Sequence, residues 1–500
     1  MAMVLDDVLI TSNPATGAEV GRIRCTPDER VREIVARARS AQEEWARQPW
    51  AVRKAALVRW RKILSRDAAS WVSVLRDEIG KPAAEALAGE VVPTLDAIRW
   101  TIKNARHALR EETIGPGWQR WLLMSTVRLR WRPVGVLGMI GTWNYPLFLN
   151  APPIAHALAA GNAVVWKPSE LALQAGQKLQ RSLDEAGLPS GLVAAVHGRA
   201  EVGKVLIESG PDKGMFTGGI ENGRRVLAAL GERGLPALAE LSGFDPAIVL
   251  PDAPMKSTVR ALRWSAFVGC GQTCISVKRV YVVGDAEPWA EALADAARAL
   301  KVGDPADART DVGPMITATA RERLDRKIRA AVDAGARVLA GGTSLGGPGW
   351  FYAPTVLLAE TDVAEAALAG VFGPVVIVRG VPDAQAAVTA ANTSDFGLAA
   401  SVWGKDRRAA QSVALQLQAG MVTINDAVTP AGHAGAPFGG CKASGFGRTH
   451  GVLGLREFAQ PVVYADRGPG GFRPQLFPYA RSASVERFLA FYCRVFHPRS

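Results

Sequence analysis

Cysteine and histidine are scarce in this chain, and neither is arranged for metal. Its 500 residues include five cysteines (Cys25, Cys270, Cys274, Cys441, Cys493) without paired ligand spacing, and six histidines that never form an H-x-x-x-H pair. No metal is expected. Scattered thiols suit a reducing, cytoplasmic compartment, and the opening Met1-Ala2-Met3-Val4-Leu5-Asp6-Asp7 has neither a basic nor an apolar leader segment. No window approaches the ~18 uninterrupted apolar residues of a membrane span. The formal charge of +12 forms no basic block, because arginines alternate with Asp and Glu along helix-like segments. Solvated faces are expected, and no nucleic-acid partner.

What is present is apolar sequence in quantity. At 48% hydrophobic residues the chain can bury a large core and form two or three domains. Residues 27–109 read as packing helices, with Val31, Ile34, Val35 and Ala38, then Leu57, Trp60 and Leu64, at three- and four-residue spacing. Over 125–136 the period becomes two, Val127, Leu129 and Trp131 alternating with Arg128, Arg130 and Arg132. An edge strand with one polar face follows, open to pairing with another subunit.

From 134 to 250 one unit repeats: a short apolar run, a turn and a helical segment. This alternation predicts a parallel α/β sheet whose ligands sit at the carboxyl ends of the strands. Three strand-end loops carry chemistry. Thr142-Trp143-Asn144-Tyr145-Pro146 offers an amide donor between aromatics; Lys167-Pro168-Ser169-Glu170 offers a cation and a carboxylate suited to phosphate or hydroxyls and to a ribose diol. Phe216-Thr217-Gly218-Gly219-Ile220-Glu221-Asn222-Gly223 opens a helix with glycines, where backbone N–H groups attract phosphate. Beyond 250 a second α/β domain is expected, with strands over 277–283, 375–378 and 420–424 and helices over 288–300 and 318–334.

That second domain carries Ala266-Phe267-Val268-Gly269-Cys270-Gly271-Gln272-Thr273-Cys274-Ile275-Ser276, an apolar run broken by glycines with one thiol at the turn. Glycines let a ligand and backbone amides approach closely, so Cys274 is the candidate nucleophile. Cys270 reads as a small apolar residue in a packed turn, with an oxidative disulfide as the sharper alternative. The tail from 468 places Val485, Phe488, Leu489, Tyr492, Val495 and Phe496 at helical spacing beside Arg481, Arg487, Arg494 and Arg499. Either a helix packed on the body or on another subunit, or a weak membrane-surface contact or lid, fits that pattern.

Cys274 in Gly-Gln-x-Cys, Glu240 in Glu-Leu-x-Gly, Trp143-Asn144-Tyr145-Pro146, Lys167-Pro168-Ser169-Glu170, Phe372-Gly373-Pro374 and Pro437-Phe438-Gly439-Gly440 stand in one order that resembles the NAD(P)-dependent aldehyde dehydrogenase superfamily. The resemblance runs from Asn13-Pro14-Ala15-Thr16-Gly17 to about Phe458. It implies a Rossmann-type cofactor domain (1–112 and 134–240), an α/β catalytic domain (241–456) and a small β extension (113–133 and 457–466) that joins subunits into a homodimer or homotetramer, leaving 467–500 as an amphipathic tail. It also implies roles: Cys274 attacks a small-molecule aldehyde, the Asn144 amide and the Cys274 N–H hold the oxyanion, and Glu240 activates water against the thioester. Trp143, Lys167, Ser169, Glu170, Gly218, Gly219, Gly223, Leu241 and Phe372 fall to the cofactor. The Glu170 carboxylate would repel a 2′-phosphate, so NAD is favoured over NADP.

Three departures from the family pattern concern the cofactor. Gly370 stands where a glutamate usually holds the nicotinamide ribose, Gly219 where Ser is usual, and Gly269 where Asn is usual. Slow hydride transfer or loose cofactor is the expected consequence. Pro152 occupies the place where relatives acting on succinate semialdehyde carry arginine, and the expected lining of Tyr145, Leu149, Phe267 and Phe438 is apolar. The expected reaction is oxidation of a neutral aliphatic or aromatic aldehyde to the acid. A coenzyme A-acylating relative and a scaffold that lost redox turnover are the alternatives; Glu240 speaks against the first, the three departures motivate the second.

Overall fold

The computed structural model describes residues 7–115, 126–466 and 483–496. The leader positions 1–6, part of the expected extension (116–125) and the tail at 467–482 and 497–500, with Arg481 and Arg499, lie outside them. Two compact units emerge, one from 7–108 with 133–460, the other from 109–132 with 461–496.

The larger unit is built on two sheets. In the first, Val136–Ile140 lies between Ala163–Lys167 and Lys213–Thr217, all parallel, with Val193–Ala195 and Ala237–Glu240 beyond them. Val136–Ile140 and Ala163–Lys167 are buried at every residue, which is why they read as unbroken apolar runs rather than alternating ones. The chain moves to one side of Val136–Ile140 and then to the other, so its carboxyl end opens a crevice between two diverging connections. Gly445–Phe446 adds an antiparallel edge, setting Gly445 opposite Glu240.

Seven strands form the second sheet, in the order Arg337–Ala340, Thr355–Ala359, Val375–Val381, Val277–Val283, Asp245–Val249, Ala399–Trp403 and Met421–Ile424. The helices Met255–Phe267, Glu287–Arg298 and Ala318–Asp333 turn their apolar residues onto this sheet and share one core with it. Phe267 departs from expectation here. It ends its helix facing that core, 1% exposed, and stands in the wall of neither cavity that reaches Cys274.

The smaller unit holds a three-stranded sheet of Glu112–Ile114, Thr126–Pro133 and Ala459–Asp466. The alternation read from the sequence is kept: Val127, Leu129 and Trp131 are half-buried, Arg128, Arg130 and Arg132 exposed. Arg130 and Arg132 lie 5.0 and 5.4 Å from the Tyr464 ring. Ala483–Phe496 is helical, with Leu489, Phe491, Val495 and Phe496 exposed. None of the described helices is long and apolar enough to cross a membrane.

Candidate active site

The helix Met255–Phe267 cannot continue past Phe267, because Gly269, Cys270 and Gly271 adopt φ of 63°, 56° and 63°. Three successive left-handed residues reverse the chain and deliver Cys274 to the surface of the core. Gly271 is required twice over: a Cβ there would stand 2.2 Å from the Gly373 carbonyl oxygen. Buried Lys278 fastens the same junction, its Nζ donating to Gly271 O at 2.8 Å and to Gly373 O at 2.6 Å. Desolvation pushes that amine down to about 7, against the opposing pull of Cys270 and Asp245. Gln272 ties a further strand of the site, its Oε1 accepting the Ile316 N–H at 3.0 Å.

Asn144 faces this turn from the end of Val136–Ile140. Its amide nitrogen donates to Gln272 O at 3.0 Å and its carbonyl oxygen accepts from Thr142 Oγ1 at 2.9 Å. The two bonds fix which end of the amide is the donor, leaving its second N–H for a ligand. The adjoining Tyr145 hydroxyl lies 2.8 Å from Thr273 Oγ1, and the Lys81 ammonium sits 3.3 Å over the Tyr145 ring.

Burial governs the reactive groups. It drives the Cys274 thiol up to about 12, with Asp245 and Glu240 adding repulsion. Glu240 is 7% exposed, and neither carboxyl oxygen has a hydrogen-bond partner among the described residues. Desolvation therefore raises it far above the usual carboxylate range, Arg448 pulling it down and Glu457 pushing it up. An unpartnered buried carboxyl that favours its proton near a buried thiol is the pairing proton-transfer chemistry needs.

Two cavities meet at Cys274. One, of about 540 Å³, also has Asn144, Glu240, Trp143, Gly218, Gly219, Leu241 and Phe372 in its wall. Trp143 and Phe372 meet edge to face there, 5.8 Å between centroids. The other, of about 390 Å³, is mostly apolar, with Tyr145, Phe148, Leu149, Trp264 and Phe438 around Cys274. Leu149, Cys274 and Phe438 belong to both walls.

Four residues expected at the cofactor lie outside the larger cavity's wall. Lys167 ends its strand donating to Gly198 O at 2.8 Å and to Glu170 at 3.1 Å, and Ser169 Oγ accepts the Leu171 N–H at 3.2 Å. Leu171, two residues on, does reach the wall. Gly223 instead packs the helix on Leu241, where a Cβ would come within 2.5 Å of that side chain. Lys278, Glu85, Arg323 and Lys327 escaped the sequence reading. Arg323 and Lys327 recur at helical spacing in Ala318–Asp333, a signal indistinguishable from a solvated face until the fold turns it to the cavity.

The model of the Aldehyde dehydrogenase family matches residues 6–463. The chain is 35% identical over 483 residues to the 4,4'-diapolycopene aldehyde oxidase of a Methylomonas species, covering 96% of this chain and 89% of that protein. It is 36% identical over 461 residues to the betaine aldehyde dehydrogenase of Cereibacter sphaeroides, covering 91% and 93%. The solved Mycobacterium tuberculosis aldehyde dehydrogenase complexed with NAD+ superposes with a TM-score of 0.87 at 29% identity, over 96% of this chain and 97% of that one. Family match, α/β architecture and a thiol at the junction of two cavities lead to one conclusion: the chain belongs to the aldehyde dehydrogenase family and is an aldehyde oxidoreductase.

Proposed function

We propose that the protein oxidises a bulky, neutral, apolar aldehyde to its carboxylic acid with NAD. The observation that carries this reading is the convergence of two unlike cavities on Cys274, one apolar and one lined by a glycine-opened helix start. The larger cavity fits a dinucleotide. Gly219 caps the helix Ile220–Glu232, and a Cβ there would meet nothing within 4 Å, leaving room for phosphate at the free N–H groups. Among the described residues, Glu240 is the one carboxylate in that wall. Gly218, Gly219, Leu241, Trp143 and Phe372 would line the cofactor, with Lys167, Ser169 and Glu170 at its adenosine end; bound there, NAD supplies a hydride acceptor.

On the protein's side, the Cys274 thiol is neutral near pH 7 and must lose its proton, which passes to solvent water, as sulfur bonds to the aldehyde carbon. The second Asn144 N–H and the Cys274 N–H take the oxygen's developing charge. Loss of hydride leaves a thioester on Cys274. Glu240, in its ionised form, then takes a proton from a water whose oxygen displaces the sulfur, and passes that proton to the departing thiolate, giving acid and free thiol. The balance is aldehyde, water and NAD+ to acid, NADH and a proton.

The apolar cavity sets the substrate class. Gly89 and Gly432 stand in its wall, and a Cβ on Gly89 would come within 3.1 Å of the Tyr145 ring, so wider side chains are absent where the space opens. The relative named for the aldehyde of 4,4'-diapolycopene fits the same class. We assign 1–112 with 134–240 to the cofactor, 241–456 to the thiol, and 113–133 with 457–466 to joining a homodimer or homotetramer in the cytoplasm.

The test is NADH formation from a series of neutral aldehydes, with and without coenzyme A. Cys274→Ala is expected to abolish it; Glu240→Gln is expected to keep a single burst of about one NADH per site and lose steady turnover. NADH that appears only with coenzyme A, or none with any aldehyde from folded protein, overturns the reading.

A further inference from the structure

The helix Ala318–Asp333 lays one face along the larger cavity: Thr319, Ala320, Arg323, Leu324 and Lys327, positions three, four and eight apart. Lys327 ends this row beside the loop Gly370-Val371-Phe372, which closes the same wall. Its Nζ donates to Ala369 O at 2.7 Å and to Ala367 O at 3.4 Å, the carbonyls that run out of the short helix Asp362–Ala367. An ammonium has three N–H bonds, and those carbonyls occupy two. The third is left on a half-buried amine in the cavity wall, with no carboxylate paired to it among the described residues.

Gly370 makes that amine matter. The residue has φ +71°, a conformation that disfavours any side chain, so no side-chain acceptor projects from this position. A dinucleotide lying against Phe372 would meet a donor there instead, and its ribose hydroxyls and diphosphate are rich in acceptors. We infer that Lys327 grips the non-adenosine half of the cofactor, as a positioning residue that replaces a carboxylate contact with an ammonium contact. This rests on the cofactor reading above.

Calorimetric titration of the full chain with NAD, ADP-ribose and AMP separates the possibilities. ADP-ribose keeps the diphosphate and second ribose, whereas AMP lacks both. Lys327→Met is expected to weaken NAD and ADP-ribose about tenfold, the size of one charge-assisted hydrogen bond, and to leave AMP unchanged. Lys327→Arg is expected to restore most of the loss. Lys327→Gln, which retains a donor for Ala369 O, serves if the Met variant does not fold, with the same pattern expected. Equal affinities in variant and wild type overturn the inference, and so does an equal loss for AMP, which marks a merely structural role. Failure of wild type to bind any of the three overturns the cofactor reading itself.

Discussion

Glu85 lines the apolar cavity, its two carboxyl oxygens accepting the Gly269 N–H at 3.1 and 3.2 Å. Burial raises it to about 7 from 4.5, against the pull of that N–H and of Lys81. Between those values the folded chain holds a proton that the unfolded chain has released. Stability from this group is therefore full below about 4.5 and lost as pH climbs through 7. Glu85→Gln keeps an acceptor for Gly269 and removes the titration. Its melting temperature is expected to match wild type near pH 4.5 and to exceed it by pH 8, by the equivalent of about 2–3 kcal/mol. A constant difference across that range, followed by calorimetry, would sink the assignment. Raised to about 7, Glu85 carries less charge in this cavity at neutral pH than an exposed carboxylate would.

At the scale of elements, the turn that leads into Cys274 is a device of backbone rather than side chains. Gly271→Ala forces a Cβ against Gly373 O and into a left-handed conformation. The expected cost is about 2 kcal/mol or more in stability. A displaced Cys274 is expected to lose about a hundredfold in kcat, and wild-type melting with wild-type turnover would contradict this. Elements whose pattern is local were legible beforehand: Val277–Val283 and the helices Glu287–Arg298 and Ala318–Asp333 lie within a residue or two of their expected ranges. The hairpin Val8–Ser12 with Glu19–Arg24, and the strands Asp245–Val249, Thr355–Ala359 and Ala399–Trp403, went unread. They are five or six residues long, one contains Pro246, and Asp245–Val249 and Ala399–Trp403 pair with each other from distant parts of the chain.

At the scale of the whole molecule, the three-stranded sheet of the smaller unit leaves apolar side chains in water, Ile114 at 44% and Val463 at 59% exposure. In the proposed homodimer or homotetramer, Val463→Lys is expected to shift the mass measured by light scattering toward monomer; a mass equal to wild type would remove this sheet from the proposed interface.

The sequence by itself determined the chemistry. Residue types in a fixed order, Asn144, Glu240 and Cys274 among them, name a thiol, a carboxyl and an amide, and the alternation of apolar runs names an α/β sheet, because both are local properties of the chain. Only the tertiary structure decided which groups face which space. Phe267 turns to the core and Lys327 to the larger cavity; Lys278 reaches Gly373, 95 residues further along the chain. A shift of Glu240 far above its ordinary range belongs to the same class. Desolvation and direction depend on partners brought from distant parts of the chain, and no local pattern records them.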